Sequence, residues 1–383
     1  MPDSIAPLNP TIRMPFSSAG GRRTAEIQTW RQGGVSLPDW RRAYSYDASG
    51  RLERVSHAVV VDGRSSFFGD DQYRFDDNGN LRFETNTGVG SGGRMIGARS
   101  ATSTYDDGDR LERRMAQALW PERSTRNVAV IVDEAGQTRY DGQAHYAWDA
   151  LGRLQGVTRD RTPSRPSSFE RDTFGRVTQI RDAAGVRDLV WDGLTLLEER
   201  DAETHEVIRA YAASGFTQHG ARYYYLRDPL GSVVGLMNRS GDVVKTWVYD
   251  AWGFRALSWQ AEGMEEVEPA LGYAGYLQHE ESGLCLMPAR AYNPALRRWL
   301  SRDPIGLEGG SINLYEYSGG DPIQLADPSG LQFRCPNSST RGSQFGVRSS
   351  FESFSTRHTM RLKLFVPCME VHAKTSRRYT ISE

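Results

Sequence analysis

The sequence predicts an all-β chain built of antiparallel hairpins, and three observations carry that expectation. A strand-turn-strand unit of aromatic, Asp, two residues, Gly, Arg and Leu or Val recurs along the 383 residues. Apolar runs such as Val128-Ala129-Val130-Ile131-Val132 are strand-sized, and none approaches the ~18 residues of a membrane span. Helical periodicity is nearly absent, with Arg113 to Leu119 the one short candidate.

The units follow in order. The first is Tyr46-Asp47-Ala48-Ser49-Gly50-Arg51-Leu52, and Phe75-Asp76-Asp77-Asn78-Gly79-Asn80-Leu81 is a weaker copy. Tyr105-Asp106-Asp107-Gly108-Asp109-Arg110-Leu111 has its Gly one place early. Trp148-Asp149-Ala150-Leu151-Gly152-Arg153-Leu154 is the cleanest, Asp172-Thr173-Phe174-Gly175-Arg176-Val177 lacks only the aromatic, and Tyr249-Asp250-Ala251-Trp252-Gly253-Phe254-Arg255 closes the series. The aromatic suits a pleated, half-buried surface. Asp ends the strand by accepting a backbone N–H two residues on, and Gly supplies the positive φ of a tight turn. Arg153-Leu154-Gln155-Gly156-Val157 then restarts the alternation, so each unit reads as a hairpin corner. One copy would be an ordinary Asx turn; five or six make a repeat array. The anchors at 46, 75, 105, 148 and 249 are unevenly spaced, which fits a continuous sheet of unequal hairpins better than equal solenoid rungs.

Composition bounds the rest. The length allows two or three domains, and 9 Trp, 17 Tyr and 14 Phe are too many for a disordered chain. The net charge of −1 conceals a split: residues 332–383 hold 9 Lys and Arg against 3 Asp and Glu, or +6, which leaves −7 for the remainder. The end of the chain therefore reads as a different object. Cys285, Cys335 and Cys368 lie far apart without a C-x-x-C pair, which argues against a zinc site or a disulfide framework. The first thirty residues lack the apolar stretch of a secretory signal. Gly90-Ser91-Gly92-Gly93 lacks the Lys of a phosphate cradle. Asp76, Asp77 and Asn78 lack the Glu that would complete a calcium loop.

The Tyr-Asp units resemble the YD repeats of Rhs proteins and of the C components of insecticidal toxin complexes. The likeness is strongest from Tyr223 to Leu331 and covers about residues 40–331. Tyr224 to Ser232 and Asn238 to Gly253 resemble two consecutive stretches of that family. Tyr273-Ala274-Gly275-Tyr276, Glu281-Ser282-Gly283-Leu284 and Ala289-Arg290-Ala291-Tyr292-Asn293-Pro294 resemble its associated core. The core ends in Arg302-Asp303-Pro304-Ile305-Gly306-Leu307 and in Pro322 through Asp327-Pro328-Ser329-Gly330-Leu331, which fits P-x-x-x-x-D-P-x-G-L. The resemblance implies part of a spiral β-shell of YD hairpins, capped by the Rhs-associated core as a plug, around a variable C-terminal effector that the core cuts loose. The implied organisation is a non-repeat leader at 1–40, a YD-repeat segment at 41–222, the core at 223–331 and a variable tail at 332–383.

On that resemblance Asp303 and Asp327 match the family's self-cleavage aspartates, and the cut falls between Leu331 and Gln332. Two carboxylates sharing a site split their pKa values, so one serves as base and the other as acid toward a water. From the residues alone, both Asp-Pro-x-Gly stretches are turn formers. Arg302 could hold one carboxylate ionised through a charge-assisted bond. Two departures from the family bear on folding and cutting. Arg297 stands where Gly is usual, and a positive φ there would cost about 1 kcal/mol. Pro288 lies in what would be a strand, where it would remove a ladder donor.

The reading that follows is a C-terminal fragment of an Rhs polymorphic-toxin-type protein, whose only enzymatic act would be self-cleavage by an aspartyl-type core. No cofactor and no metal ligand set is expected. The implied partners are the chain's own tail as cargo, an N-terminal shell or secretion-apparatus protein, and an immunity protein. The absence of H-x-x-x-H spacing at His358 and His372 argues for surface His and against a nucleic-acid site. Synthesis in a bacterial cytoplasm and export by a specialised secretion system complete this expectation. Array and tail are short, so an incomplete shell and a remnant or small effector are expected, with a strand pair over 360–371. Two alternatives stay open: the tail is itself a small toxin enzyme such as a nuclease, or the aromatic-rich strands bind carbohydrate.

Overall fold

The computed structural model describes residues 11–335 apart from 14–15, 20–21, 33–34, 37–38, 62–63, 90–94 and 121–122. The expected strand pair at 360–371 and both His358 and His372 lie outside the described residues. Described residues of the leader, among them strand Arg22–Gln32, join the first sheet. That antiparallel sheet has eleven strands, from Thr11–Arg13 to Ser124–Ala129. A second has fourteen strands paired strictly in chain order, from Ile131–Val132 to Arg255–Gln260. Val130 N–H donates to Glu112 O at 2.8 Å, tying the start of the second sheet to the first. A four-stranded sheet, Gln278–His279 to Arg298–Trp299, belongs to the plug.

The repeat unit explains the wall. Asp149 Oδ1 accepts from Leu151 N at 2.9 Å and from Arg153 N at 2.8 Å, and its Oδ2 pairs with Arg153 Nε at 2.7 Å. Gly152 turns the chain at φ 75. Arg153 Nη1 then reaches the next corner and donates to Asp172 O at 3.0 Å. Arg51 does the same to Asp76 O at 2.7 Å, and Arg176 to Gly193 O at 2.8 Å. Each Arg thus closes its own turn and laces it to the next hairpin. In the Asp106 corner the left-handed place falls to Asp109, at φ 60, because Gly108 comes early.

Strand alternation is broken in a regular way. Trp148 pairs with Leu154 and Ala147 with Gly156, so Gln155 is an extra residue. The same bulge follows the turns before Leu52, Leu81, Leu111, Val177, Leu196 and Val233. A bulge places residues three apart on one face, which is why Leu154 and Val157, Leu52 and Val55, and Val177 and Ile180 are all buried.

The expected short helix at Arg113 to Leu119 is instead part of strand Leu111–Trp120. Its partners Met95–Tyr105 and Ser124–Ala129 pair along both edges, and that ladder overrides a helix-forming composition. Cys335 is disulfide-bonded, a pairing the wide cysteine spacing did not announce.

The plug is an aromatic core. Tyr273, Tyr276, Tyr292, Trp299 and Tyr317 are buried together, and Tyr292 stacks on Tyr317 at 4.0 Å between centroids. Polar bonds fasten it to wall turns. Tyr315 Oη donates to Gly136 O at 2.9 Å, Asn313 Nδ2 to Asn80 Oδ1 at 2.8 Å, and Arg171 Nη1 to Met287 O at 3.0 Å. Pro288 lies in the bend after strand Leu284–Leu286, where no ladder bond is asked of it, so the expected loss of a donor does not arise. Arg297 does take φ 59, but its buried guanidinium pairs with Glu84 at 2.6 Å and Asp250 at 3.3 Å.

Two cavities of about 640 and 580 Å³ share Arg99, Asp141 and Phe254 in their linings. Charged side chains, among them Arg42, Asp71, Glu84 and Arg114, line the second. Each has the volume of a pocket for a small ligand.

Candidate functional site

Both candidate aspartates sit at the first position of an Asp-Pro-x-Gly corner built like the wall turns. Ile305 N donates to Asp303 Oδ1 at 3.1 Å, and Gly306 N to Asp303 O at 3.0 Å. Gly330 N donates to Asp327 Oδ1 at 2.8 Å. The same Oδ1 accepts from Ser329 Oγ at 3.0 Å, Leu331 N at 3.0 Å and Gln332 N at 3.2 Å. The last of these is the nitrogen of the Leu331–Gln332 bond.

The structure brings the two carboxylates to one cation, and that cation is Arg290. Its Nη2 lies 2.9 Å from Asp303 Oδ2 and 3.3 Å from Asp327 Oδ2. The guanidinium also donates from Nε to Gly330 O at 2.5 Å and from Nη1 to Leu314 O at 3.2 Å, and rests 4.1 Å from the Trp299 ring centre. The three side chains are 8% (Asp303), 2% (Asp327) and 4% (Arg290) exposed, so their charges act with little screening by water. Arg302 is exposed and lies against the Gly136 turn and Tyr315, away from the dyad. Sequence adjacency favoured it, but successive residues leaving a turn point in different directions. Arg290 was visible only as part of the Ala289-Arg290-Ala291-Tyr292 stretch.

Burial pushes the Asp303 carboxyl above its ordinary value, the Asp327 charge adds to that, and Arg290 pulls against it. Tyr276 Oη accepts the Asp327 N–H at 2.6 Å and is bonded to Tyr317 Oη at 2.9 Å, which fixes that corner from below. A glycine missed by sequence reading completes the geometry. A Cβ on Gly309 would lie 2.4 Å from Asp303 Oδ2 and 3.2 Å from Leu331 O. The carboxyl and the Leu331 carbonyl therefore flank one small space that only Gly leaves open. Asp303, Asp327, Arg290 and Gly309 line a cavity of about 10 Å³, about the room one water needs. Chemically, the site offers a carboxyl with raised pKa beside a peptide carbonyl, a second carboxylate at the peptide nitrogen, and room for a nucleophile.

One further cluster has metal-ligand types. Asp182, His279 and Glu281 bring ligand atoms within 4.8 Å of one another. Asp182 already pairs with Arg187 at 2.7 Å and with His279 Nε2 at 3.1 Å. The cluster is therefore satisfied as a seam between wall and plug.

Comparison with known proteins agrees with this architecture. The family described as Teneurin YD-shell matches residues 212–323. The tRNA3(Ser)-specific nuclease WapA of Bacillus spizizenii is 31% identical over 214 residues, 53% of this chain and 9% of that protein. The probable deoxyribonuclease RhsA of Dickeya dadantii is 29% identical over 344 residues, 82% of this chain and 22% of that protein. Among solved structures, TcdB2-TccC3 superposes with a TM-score of 0.56 at 17% identity, covering 84% of this chain and 18% of that one. The chain thus spans a quarter or less of each of these proteins.

Proposed function

The chain is a YD-repeat shell protein of the Rhs kind, and from that premise we propose that its plug is a self-cleaving aspartyl-type site that severs Leu331–Gln332 and frees the residues beyond as cargo. The observation that carries the reading is Asp327 Oδ1 at 3.2 Å from the Gln332 nitrogen, with Asp303 Oδ2 and the Leu331 carbonyl both facing Gly309. Asp303, whose carboxyl burial pushes above its ordinary value, serves as the acid that polarises that carbonyl. Asp327, oriented by Arg290, takes a proton from the attacking water. The water oxygen bonds to the Leu331 carbon, the carbon–nitrogen bond breaks, and Asp327 returns the proton to the Gln332 nitrogen.

Intact mass at neutral pH tests this. Wild type yields one piece ending at Leu331 and one starting at Gln332. Asp303→Asn and Asp327→Asn each leave the chain whole, because a neutral amide neither acts as base nor carries the shared proton, and Arg290→Gln does so because it removes the cation that holds both carboxylates. Arg302→Ala cuts as wild type does. Four Asp-Pro bonds, after Asp228, Asp303, Asp321 and Asp327, also break in acid, but those breaks follow Asp and not Leu331. An uncut wild type overturns the proposal.

The cargo on this reading is the basic segment from residue 332. The charged cavity walls suit a polar chain, and an outer shell or export protein and an immunity protein are its further partners. WapA and RhsA are described as nucleases, which favours a nucleic-acid-cutting effector as the second reading. Loss of nuclease activity on deleting residues 332–383 is the result that second reading requires.

A further inference from the structure

The chain beyond the cut is held as carefully as the chain before it. Ala326 N donates to Arg334 O at 2.9 Å and Arg334 N to Ala326 O at 2.8 Å, an antiparallel bridge across the Asp327 corner. Gln332 Nε2 donates to Glu308 O at 3.2 Å. Between these two anchors the Phe333 ring faces two glycines. A Cβ on Gly319 would lie 3.3 Å from Phe333 Cζ, and a Cβ on Gly310 would lie 3.8 Å from Cε1 and Cζ. Both glycines adopt left-handed backbone, φ 57 at Gly319 and φ 94 at Gly310, conformations that side chains other than Gly rarely take. The same segment that opens the Asp303–Leu331 space at Gly309 thus opens a slot for an aromatic ring two residues past the scissile bond.

We infer that Phe333 is a specificity-determining residue of the cleavage reaction: its ring, docked on Gly310 and Gly319, holds the scissile bond in register with the dyad. This rests on the cleavage reading above. Peptide hydrolysis gains much of its rate from holding the reacting atoms within a fraction of an ångström, and a shift of about 1 Å costs about 100-fold. Asp327 fixes the Leu331 and Gln332 amides from one side, while the ring and the Ala326–Arg334 bridge fix the following residues from the other. Gln332, Phe333 and Arg334 thus all take part in holding the segment after the cut. The inference asks for an aromatic or bulky apolar residue at position 333. The bridge also keeps the new amino-terminal end docked after cutting, so scission and departure are separate events.

The test is the time course of cutting in freshly translated full-length chain, followed by intact mass. Phe333→Ala slows the cut at least tenfold and Phe333→Asp further, while Phe333→Tyr recovers most of the rate. The melting temperature of Phe333→Ala matches that of wild type when both carry Asp303→Asn to keep them whole. A structural role alone would lower melting and rate together. Equal rates for wild type and Phe333→Ala overturn the inference and leave the cleavage proposal standing. If wild type is never cut, the cleavage proposal fails, and amide exchange decides the docking. The Arg334 and Ala326 N–H groups are protected in wild type and exchange freely in Phe333→Ala, whereas equal exchange overturns the inference.

Discussion

At position 297 two effects of opposite sign meet. The left-handed backbone of Arg297, φ 59, costs about 1 kcal/mol in a residue other than Gly. Its guanidinium pairs with Glu84 and Asp250, both buried or nearly so. Burial opposes the Arg297 charge, yet those carboxylates outweigh it and hold the group above its ordinary pKa. Stripping a buried carboxylate of its partner costs about 3–5 kcal/mol. Arg297→Gly therefore destabilises the chain by about 2 kcal/mol or more, although glycine suits the backbone; chemical denaturation measures it, and a variant as stable as wild type would refute the compensation. The strain was legible in the sequence, because Arg stands in a place that asks for glycine. The compensation was not, because Glu84 and Asp250 come from distant wall strands. Arg290 was hidden for the same reason: which cation faces Asp303 is decided by how Ala291–Asn293 packs, not by adjacency.

Hairpin corners were the most legible elements, since Asp and Gly mark them through local backbone chemistry. The Asp133 corner was still overlooked. Asp133 N donates to Gln137 O at 2.9 Å and Gly136 N to Asp133 O at 2.9 Å, the same bonding as in the Asp47, Asp76, Asp149, Asp172 and Asp250 corners. Val132 stands where an aromatic was sought, so the working signal is Asp-x-x-Gly and the aromatic is a packing preference. Bulges do leave a mark in one strand, the Leu-x-x-Val spacing after a corner, as at Leu154 and Val157, but a reading of unbroken alternation passes over it. The lacing at Asp149 makes a quantitative expectation. Asp149→Ala strands two backbone N–H groups and the Arg153 fork and costs about 1–3 kcal/mol. Asp149→Asn keeps one acceptor oxygen for both N–H groups and costs about 1 kcal/mol or less. Amide exchange should show the Ala variant loosening the neighbouring Asp172 corner as well, since Arg153 Nη1 bonds Asp172 O. Equal melting temperatures for the two variants would show that the carboxylate, and not its geometry, matters.

At the scale of the molecule the plug's order of segments could be read from the chain, but not which wall turns it would seal. That sealing places carboxylates in two opposed classes. Burial pushes Glu316, packed against the Gly79 turn, up to about 7, and Asp321 and Asp228 up to about 6. Such groups bind protons more tightly folded than unfolded. Their stabilisation is complete below the ordinary carboxylate range and is lost as pH rises through those raised values. The corner carboxylates Asp106, Asp149 and Asp172 resist burial's upward pull through backbone and Arg bonds and are lowered. Asp182, bonded to His279 and Arg187, is lowered to about 2 against the same pull. Their contribution is present above the ordinary range and lost as pH falls toward the lowered values. Stability should therefore peak in mildly acidic solution, between about pH 4 and 6, and fall on both sides. Melting temperature across pH 3 to 9 measures the profile. Glu316→Gln keeps an acceptor for Ser311 Oγ, which lies 2.7 Å from Glu316 Oε2, but never becomes a buried anion. It should flatten the alkaline limb while leaving the acid limb in place. A melting temperature that climbs steadily from pH 5 to 8, or a Gln variant with an unchanged alkaline slope, would show that the plug's carboxylates do not set the pH dependence.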